Sequence, residues 1–447
     1  MSMEAKMQNA DLDIFSRIDP EMFGDLDYGT FPKMVKVRQK FECPQIDDVG
    51  AMVASEMKKP EIEQKIRHGA RIAVLVGSRG ISQIDRIVRS VIDELKAKGA
   101  EPFIVPAMAS HGGATEAGQC DLLGSYGITE QSMGVKIRST MIPEEIGVTP
   151  GGVRIYFDVN ALHADGVIPI NRIKAHTAFR GPRESGLIKM LAIGAGKQKG
   201  AESLHSHGAD TFATLLPEAF HVIRQHVNVL FGIGIVENCN ERAALLEAIP
   251  VEDIENREVE LLKLANRYMP RILIDRFDAL IVGESGKDIS GDGMDPNVTG
   301  RFAVPNMQGG PEYQRLALLD VTEESHGNVA GVGLADVTTR KLIRKANLQF
   351  MYMNAFTSKM VIPLVKIPMV ALDDRQAIGV MLRTCVRVEK GREKVVYIKN
   401  TLEVKDIWVS ETLAENLYGD GRFKILSEPF AMQFDADGNL LTDMQSI

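Results

Sequence analysis

The residues able to do chemistry gather in one stretch, Ile170 to Gly208, which reads INRIKAHTAFRGPRESGLIKMLAIGAGKQKGAESLHSHG. Lys189 lies in an apolar run there, so it either snorkels to the surface or loses water. A lysine out of water gives up its proton more readily and becomes a nucleophile able to form a covalent link. His176 precedes it, following what reads as a strand, with Arg172 and Lys174 beside it as solvated cations on the plainer reading. His205 and His207 follow, flanking Ser206. At a spacing of two they diverge on a helix, so a loop or strand is needed for both to bind one metal.

Outside this stretch, His111 stands in MASHGGAT, where two glycines leave room for a ligand near the backbone; the plainer alternative is a helix cap or a solvated side chain. Histidine changes charge near neutral pH, which suits proton transfer. Arg79, in VGSRGI, can grip a carboxylate with two parallel hydrogen bonds, or form a surface ion pair of little energetic consequence. Gly194, Gly196 and Lys197 in GAGKQKG resemble a turn whose backbone N–H groups hold a phosphate, although the Lys-[Ser/Thr] ending of a Walker A is missing. Lys287, in ESGKDISGDGMDP, is either a solvated turn or a cation for a ligand. The neighbouring Asp288, Asp292 and Asp295 do not follow an EF-hand loop, and no H-E-x-x-H is present.

These residues need elements to hold them. ARIAVLVGSRG reads as a buried strand at Ile72 to Val76. After it Ile81, Ile84, Ile87, Val88, Val91, Ile92 and Leu95 recur at helical spacing, Gly99 closes the helix, and PFIVPAM starts the next strand. Strand–helix–strand alternation predicts a parallel sheet covered by helices, with ligands at the strands' carboxyl ends. GVRIYFDV, DGVIPIN and VLFGIGIVEN continue the strands. A helix is expected near Pro217 to His226, and another in EDIENREVELLKLANRYMP.

A boundary near 270 is expected, giving an N-terminal α/β domain over 1–270, which the tail 425–447 can join, and a C-terminal α/β domain over 271–424 closing a cleft. The later unit offers the strand DALIVG, helices in DVTTRKLIRKAN and DDRQAIGVMLRTC, and the strand KVVYIKN. FPKMVKVRQKF is a candidate first strand.

Composition narrows the function. The net charge of −8 over 447 residues implies no nucleic-acid surface. No segment approaches the roughly 18 apolar residues of a membrane span, and the N-terminus lacks the apolar core of a signal peptide. Cys43, Cys120, Cys239 and Cys385 form no C-x-x-C pair, which argues against a disulfide framework, a zinc ribbon or an iron–sulfur site. A cytoplasmic protein acting on a small molecule is expected, with an oligomer compatible.

Taken in order, the strand-end arginine, the SHGG turn, the series H…GLIK…GAGK…H and the later GKDI resemble the nickel-dependent lactate racemase family. The resemblance spans most of Ile72 to Ile289, including a spacing of 16 from Lys189 to His205. It implies a nickel-pincer nucleotide, a pyridinium mononucleotide with two sulfur-containing arms. Lys189 would be the covalent tether, and Gly194, Gly196 and Lys197 further cofactor contacts. His205 would be the protein ligand to nickel, in a planar set that suits the divalent ion. His111 and His176 would be paired acid and base, and Arg79 and Lys287 would hold the substrate carboxylate. The implied reaction inverts C2 of a 2-hydroxy acid by reversible hydride transfer to the cofactor.

The departures fall around the substrate. The family's D-x-T-R-P is GSRG here, GTHRP is ASHGG, GGYPKDIN is GESGKDIS, and RGPRE lengthens the segment after His176. They suggest a substrate larger than lactate, such as an aldonic acid. Two other readings stand beside this one: a zinc hydrolase using His111, His176 and His205, and a non-catalytic scaffold binding a phosphorylated ligand at GAGKQKG.

Overall fold

A computed structural model describes residues 31–78, 80–305, 307–358 and 362–442. The chain forms two compact units, Glu42–Met269 and a second built from Met1–Phe41 with Pro270–Ile447. The break falls near 270, but the ends are distributed differently from the sequence expectation. β1 (Met34–Gln39), the strand expected in FPKMVKVRQKF, finds its partners at the far end of the chain, in the second unit. The first unit therefore starts at Glu42 and takes neither residues 31–41 nor the tail.

In the first unit, β2 (Arg71–Val76), β3 (Glu101–Pro106), β6 (Gly166–Arg172), β7 (Phe231–Glu237) and β8 (Ala243–Pro250) form one sheet in the order β3-β2-β6-β7-β8. The first four are mutually parallel and β8 is antiparallel. β4 (Pro143–Val148) and β5 (Arg154–Asp158) make a separate antiparallel pair. The near-continuous apolar runs of β2 and β3 are buried at five of six positions, as expected of parallel strands covered on both faces.

α1 (Val49–Met57) and α2 (Ile84–Ala97) cover this sheet. Ile84, Ile87, Val88, Val91, Ile92 and Leu95 of α2 are all buried against Ile72, Val74, Val76, Ile168 and Ile170. Each such side chain contributes roughly 1.5–3 kcal/mol by leaving water. Gly99 then turns the chain with φ of 76°, open to glycine at little cost. α3 (Glu116–Ser125) starts at Thr115, whose hydroxyl accepts from the Gly118 N–H. Four further helices bear on the site. α4 (Leu187–Lys189) runs into a π-helical turn, Met190–Gly194, and is followed by α5 (Lys197–His205), α6 (Phe212–His226) and α7 (Ile254–Tyr268).

The second unit holds an eight-stranded sheet. Its further strands are β9 (Ala279–Ser285), β10 (Arg315–Val321), β11 (Val337–Thr339), β12 (Met369–Ala371), β13 (Val395–Ile398), β14 (Asp406–Ser410) and β15 (Phe423–Ile425), in the order β12-β11-β10-β9-β13-β14-β1-β15. The five strands from β12 to β13 are parallel. DVTTRKLIRKAN, where a helix is expected, opens as β11. It becomes α8 (Arg340–Lys345) only after Thr339, whose hydroxyl caps that helix by accepting from the Leu342 N–H. β-branched Val337, Thr338 and Thr339 are buried and fit a pleated strand better than a helix. α9 (Asp374–Arg383) forms as expected. The protein is thus α/β, with mainly parallel sheets in both units. None of its described helices is long and apolar enough to cross a membrane.

The cysteine expectation needs correction. Cys43 and Cys239 are disulfide-bonded within the first unit, with Cα atoms 6.4 Å apart and 196 residues between them. Ile46 donates to the Ala243 carbonyl beside them, and the Asn238 side chain to that of Pro44. Strand pairing at this edge brings together two cysteines whose spacing suggests no motif.

Candidate active site

Because β2, β3, β6 and β7 are parallel, the loops that follow them emerge from one edge of the first unit's sheet. Ser78 follows β2, His111 follows β3, and His176 follows β6. His111 Nδ1 lies 2.5 Å from Ser78 Oγ, and the Tyr126 hydroxyl donates to the Ser78 carbonyl. A hydroxyl both donates and accepts. It accepts from Nδ1–H both in the neutral tautomer whose Nε2 carries no proton and in the cation, so His111 keeps its partner when Nε2 gains a proton.

His176 is held differently. An isolated bridge between Lys174 and Ser185 closes the loop that carries it. Its backbone N–H donates to Glu184 at 2.6 Å, and Arg180 donates to its carbonyl at 2.7 Å. Its Nδ1 accepts from the Ala178 N–H at 3.0 Å, and its Nε2 lies 2.8 Å from the Lys189 amine. A backbone N–H only donates, so the contact at Ala178 favours the tautomer with the proton on Nε2, by about the 1 kcal/mol of one hydrogen bond. An ammonium on Lys189, donating to Nε2, favours the opposite tautomer. Burial pushes the His176 imidazole well below its usual pKa, and the charges of Lys189 and Lys174 push it the same way.

His205, the last residue of α5, completes the cluster. Its ring stacks edge-on against Phe212, which meets Phe179, which meets His176, with centroids 4.5–5.4 Å apart along the series. Its Nδ1–H donates to the Ala201 carbonyl at 2.6 Å, which leaves the Nε2 lone pair available. That second hydrogen bond is how metal-binding histidines are usually oriented. Burial lowers the His205 pKa, against the pull of the Ala201 carbonyl, and the charge of Lys189 lowers it further. His207 is exposed and turns back to the Ser203 carbonyl, so the two histidines diverge.

Three carboxylates that sequence reading did not single out for this edge support it. Glu258 on α7 is buried and accepts from the N–H groups of Leu187 and Ile188, fixing the start of the turn that carries Lys189. Burial raises its pKa to about 7, against those two hydrogen bonds. A Cβ on Gly186 would strike its carboxylate oxygen. Glu184, considered only as a hydrolase base, instead props the His176 backbone; burial raises its pKa, opposed by the His176 N–H and Arg180. Glu237, ending β7, pairs with Arg172 and accepts from the Ser82 N–H at 2.7 Å. Nothing in the spacing of Glu237 or Glu258 links them to residues 70–150 positions earlier. Only the sheet order does.

The phosphate-cradle expectation for GAGKQKG is corrected. The Lys197 side chain has no exposure; its amine lies 3.1 Å from Asp158 and donates to the Pro106 carbonyl and to Gln119. A Cβ at Gly194 would strike the Ala107 carbonyl, and one at Gly196 would press on Gly200 and the Tyr156 carbonyl. These glycines allow backbones to pack closely against each other. Lys199 is exposed and lies over the Tyr156 ring.

Two candidates remain. Arg79 is outside the described residues. Lys287 belongs to the second unit, where its amine donates to the Gly291 carbonyl and its backbone N–H to Ser325. The zinc reading loses its geometric basis. Among the described residues, which include His111, His176 and His205, no three or more His, Cys, Asp or Glu side chains are arranged to hold an ion.

With this geometry in hand, the likeness to known proteins can be stated. A family model described as a domain of unknown function (DUF362) matches residues 82–248, less than half of the chain, a span that contains His111, His176, Lys189 and His205. No characterised protein matches in sequence. Among solved structures, the chain is similar to the lactate racemase apoprotein from Thermoanaerobacterium thermosaccharolyticum. That likeness is at 12% identity, over 82% of this chain and 94% of the other, with a TM-score of 0.53. At that identity the similarity establishes the fold.

The arrangement joins three capacities. His111 can move a proton while keeping its hydrogen bond. Lys189 sets its amine against the His176 ring. His205 keeps its Nε2 available beyond its Nδ1 hydrogen bond.

Proposed function

We propose that the protein is a racemase-like isomerase that inverts C2 of a 2-hydroxy acid with a lysine-tethered nickel-pincer nucleotide. The observation carrying this reading is the position of Lys189. Its amine lies 2.8 Å from His176 Nε2, in a site where His205 keeps its own Nε2 available. The residues present suit such a group. A neutral amine is what amide-type attachment to a cofactor arm requires, and a single imidazole is what a metal already held by that cofactor's sulfur and carbon atoms would need. Of the two, the likeness in fold to a lactate racemase apoprotein supports the reaction class, and the side chains support the cofactor.

In this reading Lys189 holds the cofactor and His205 binds its nickel. When bound, the group supplies a metal-supported pyridinium ring able to take and return a hydride. The protein supplies the protons. His111 takes the proton of the substrate hydroxyl at Nε2 while its Nδ1–H stays donated to Ser78. His176, at the other strand end, is assigned as the second acid–base group, acting at the Nε2 that faces Lys189 here. Two such groups are needed because the hydroxyl occupies different places in the two enantiomers. Arg79 is assigned to the substrate carboxylate. The substrate proposed is a hydroxylated acid larger than lactate, such as an aldonic acid, because the sequence departures fall in GSRG, ASHGG and RGPRE.

The test is intact mass and nickel content of the protein produced together with the cofactor's biosynthetic enzymes, alongside Lys189→Ala. An adduct with about one nickel, both lost in the variant, is expected. Chiral chromatography of a panel of 2-hydroxy acids then identifies the substrate. Absence of both adduct and metal in the wild-type protein would remove this reading.

A further inference from the structure

The buried Lys197 remains without a task in this scheme, and its surroundings suggest one. Lys197 opens α5, the helix that ends at His205, with φ of 55°. That left-handed conformation favours glycine, yet the adjacent Gly196 has an ordinary φ of −70° and the lysine takes the strained place. Strain of this kind persists where the surroundings over-determine it. Here they do so through the amine, which donates to Gln119 at 3.2 Å and to the Pro106 carbonyl and lies 3.1 Å from an Asp158 oxygen as an ion pair.

Stability is a poor reason for such a pair, since apolar residues of matching volume often replace a buried ion pair without loss. Geometry offers a better one. With its side-chain oxygen held by the lysine, Gln119 must turn its NH₂ the other way. It then donates to the Ala109 carbonyl at 2.9 Å and toward the His111 carbonyl at 3.4 Å. The Ala109 N–H donates to the Gly194 carbonyl, at the end of the π-helical turn that follows Lys189. The turn from Pro106 to His111 is thus held at its start by Lys197, from the helix bearing His205, and along its length by Gln119 of α3, whose oxygen Lys197 holds.

We infer that Lys197, acting through Gln119, is the positioning residue that sets His111 relative to Lys189 and His205. The inference rests on the proposed function for its catalytic consequence, but not for its geometry. Lys197 itself touches no reactant. It fixes the orientation of an amide, and the amide fixes the histidine turn. Because acid–base transfer loses up to about a hundredfold in rate for an error near 1 Å, a loosened turn impairs turnover while leaving the cofactor attached.

The test uses two variants. Lys197→Met with Asp158→Leu removes both charges together, so that neither is left buried and unpaired. Gln119→Glu keeps an oxygen for Lys197 and takes away the donor facing Ala109 and His111. Histidine-selective NMR of the unloaded full-length protein, with His111 assigned through His111→Gln, reads the turn directly. We expect the His111 ring signals and titration midpoint to shift in both variants while those of His205 stay in place. In loaded protein we expect unchanged adduct and nickel, similar KM and a kcat lower by roughly ten- to a hundredfold.

Unaltered His111 signals in either folded variant would overturn the inference. If the wild-type protein takes up no cofactor, the functional reading fails by itself, and the spectra of unloaded protein still decide the positional claim.

Discussion

His111 and His176 look interchangeable in sequence, each just past a parallel strand and each beside flexible or polar residues. Their partners make them chemically different. His111 faces a hydroxyl, which can accept from its Nδ1–H and leave Nε2 to take a proton. His176 faces a backbone N–H, which favours a proton on Nε2, the nitrogen that meets Lys189. One contact leaves the outer nitrogen to exchange a proton; the other biases a tautomer against a lysine. Residue type and strand-end position therefore mark a site, but the direction of each hydrogen bond determines what the residue can do there.

The comparison is most exposed at Lys189. A solvated lysine is about 0.1% free amine at neutral pH, so a contact that favours the free amine confers a large kinetic advantage. Cyanate is small enough to probe it. In unloaded protein at pH 7, Lys189 should be carbamylated well ahead of exposed lysines such as Lys199, with sites resolved by peptide mass spectrometry. His176→Ala should slow it by roughly ten- to a hundredfold, whereas His111→Ala should not. Equal labelling of Lys189 and Lys199 would mean that the His176 contact does not favour the free amine.

Glu258 tests the same turn from its other end. Its folded pKa of about 7 lies above the unfolded value of 4.5. Between those values the folded protein keeps a proton that the unfolded chain has released, so the associated stability is present below pH 4.5. It is lost as pH rises through 7. The full loss is on the order of 3 kcal/mol. Glu258→Gln keeps an oxygen for the N–H groups of Leu187 and Ile188 without titrating. Between pH 5 and pH 8 the melting temperature of the wild type should therefore fall relative to the variant, by about 5–10 °C. Parallel melting curves across that range would show that this carboxylate is not held as described.

On the His111 side, Ser78→Ala removes the hydroxyl partner. In loaded protein a drop in kcat of about tenfold is expected, within the usual range for acid–base assistance, with adduct and nickel retained. The limb of the pH profile belonging to His111 should move with it. A profile that keeps its shape would reduce Ser78 to packing and make the two histidines more alike than the structure indicates.

Much of the scaffold was legible. Ile84, Ile87, Val88, Val91, Ile92 and Leu95 are spaced for a helix and are all buried in one. The strands at RIAVLV and GVIPINR follow from their apolar runs, and strand-end loops hold His111 and His176 as parallel topology requires. What escaped depends on distant pairing. β1 belongs to the second unit because its partners are almost 400 residues away, Cys43 meets Cys239 across 196 residues, and Glu258 reaches Leu187 from another helix. Local patterns carry no information about such partners. The strand of Val337, Thr338 and Thr339 went unseen for a different reason, since the expected helix begins immediately after them and its periodicity dominates the segment.

GAGKQKG shows the same limit at the level of a motif, and supplies the smallest effect. Glycines around lysines suggest an anion cradle, yet glycine spacing records only that something approaches the backbone closely. Here the approaching groups are the Ala107 and Tyr156 carbonyls and Gly200 of the same helix, which leaves no phosphate to be held. Lys197 and Lys199 then separate cleanly. The first is inaccessible. The second is exposed with its amine 4.6 Å from the centre of the Tyr156 ring, a contact worth about 0.5 kcal/mol at a solvated site. Lys199→Ala should accordingly leave cofactor uptake and kcat unchanged and move the urea midpoint barely beyond error. A Lys199→Ala protein that takes up cofactor markedly less well would return the anion-binding role to this turn, through the one of its two lysines that solvent can reach.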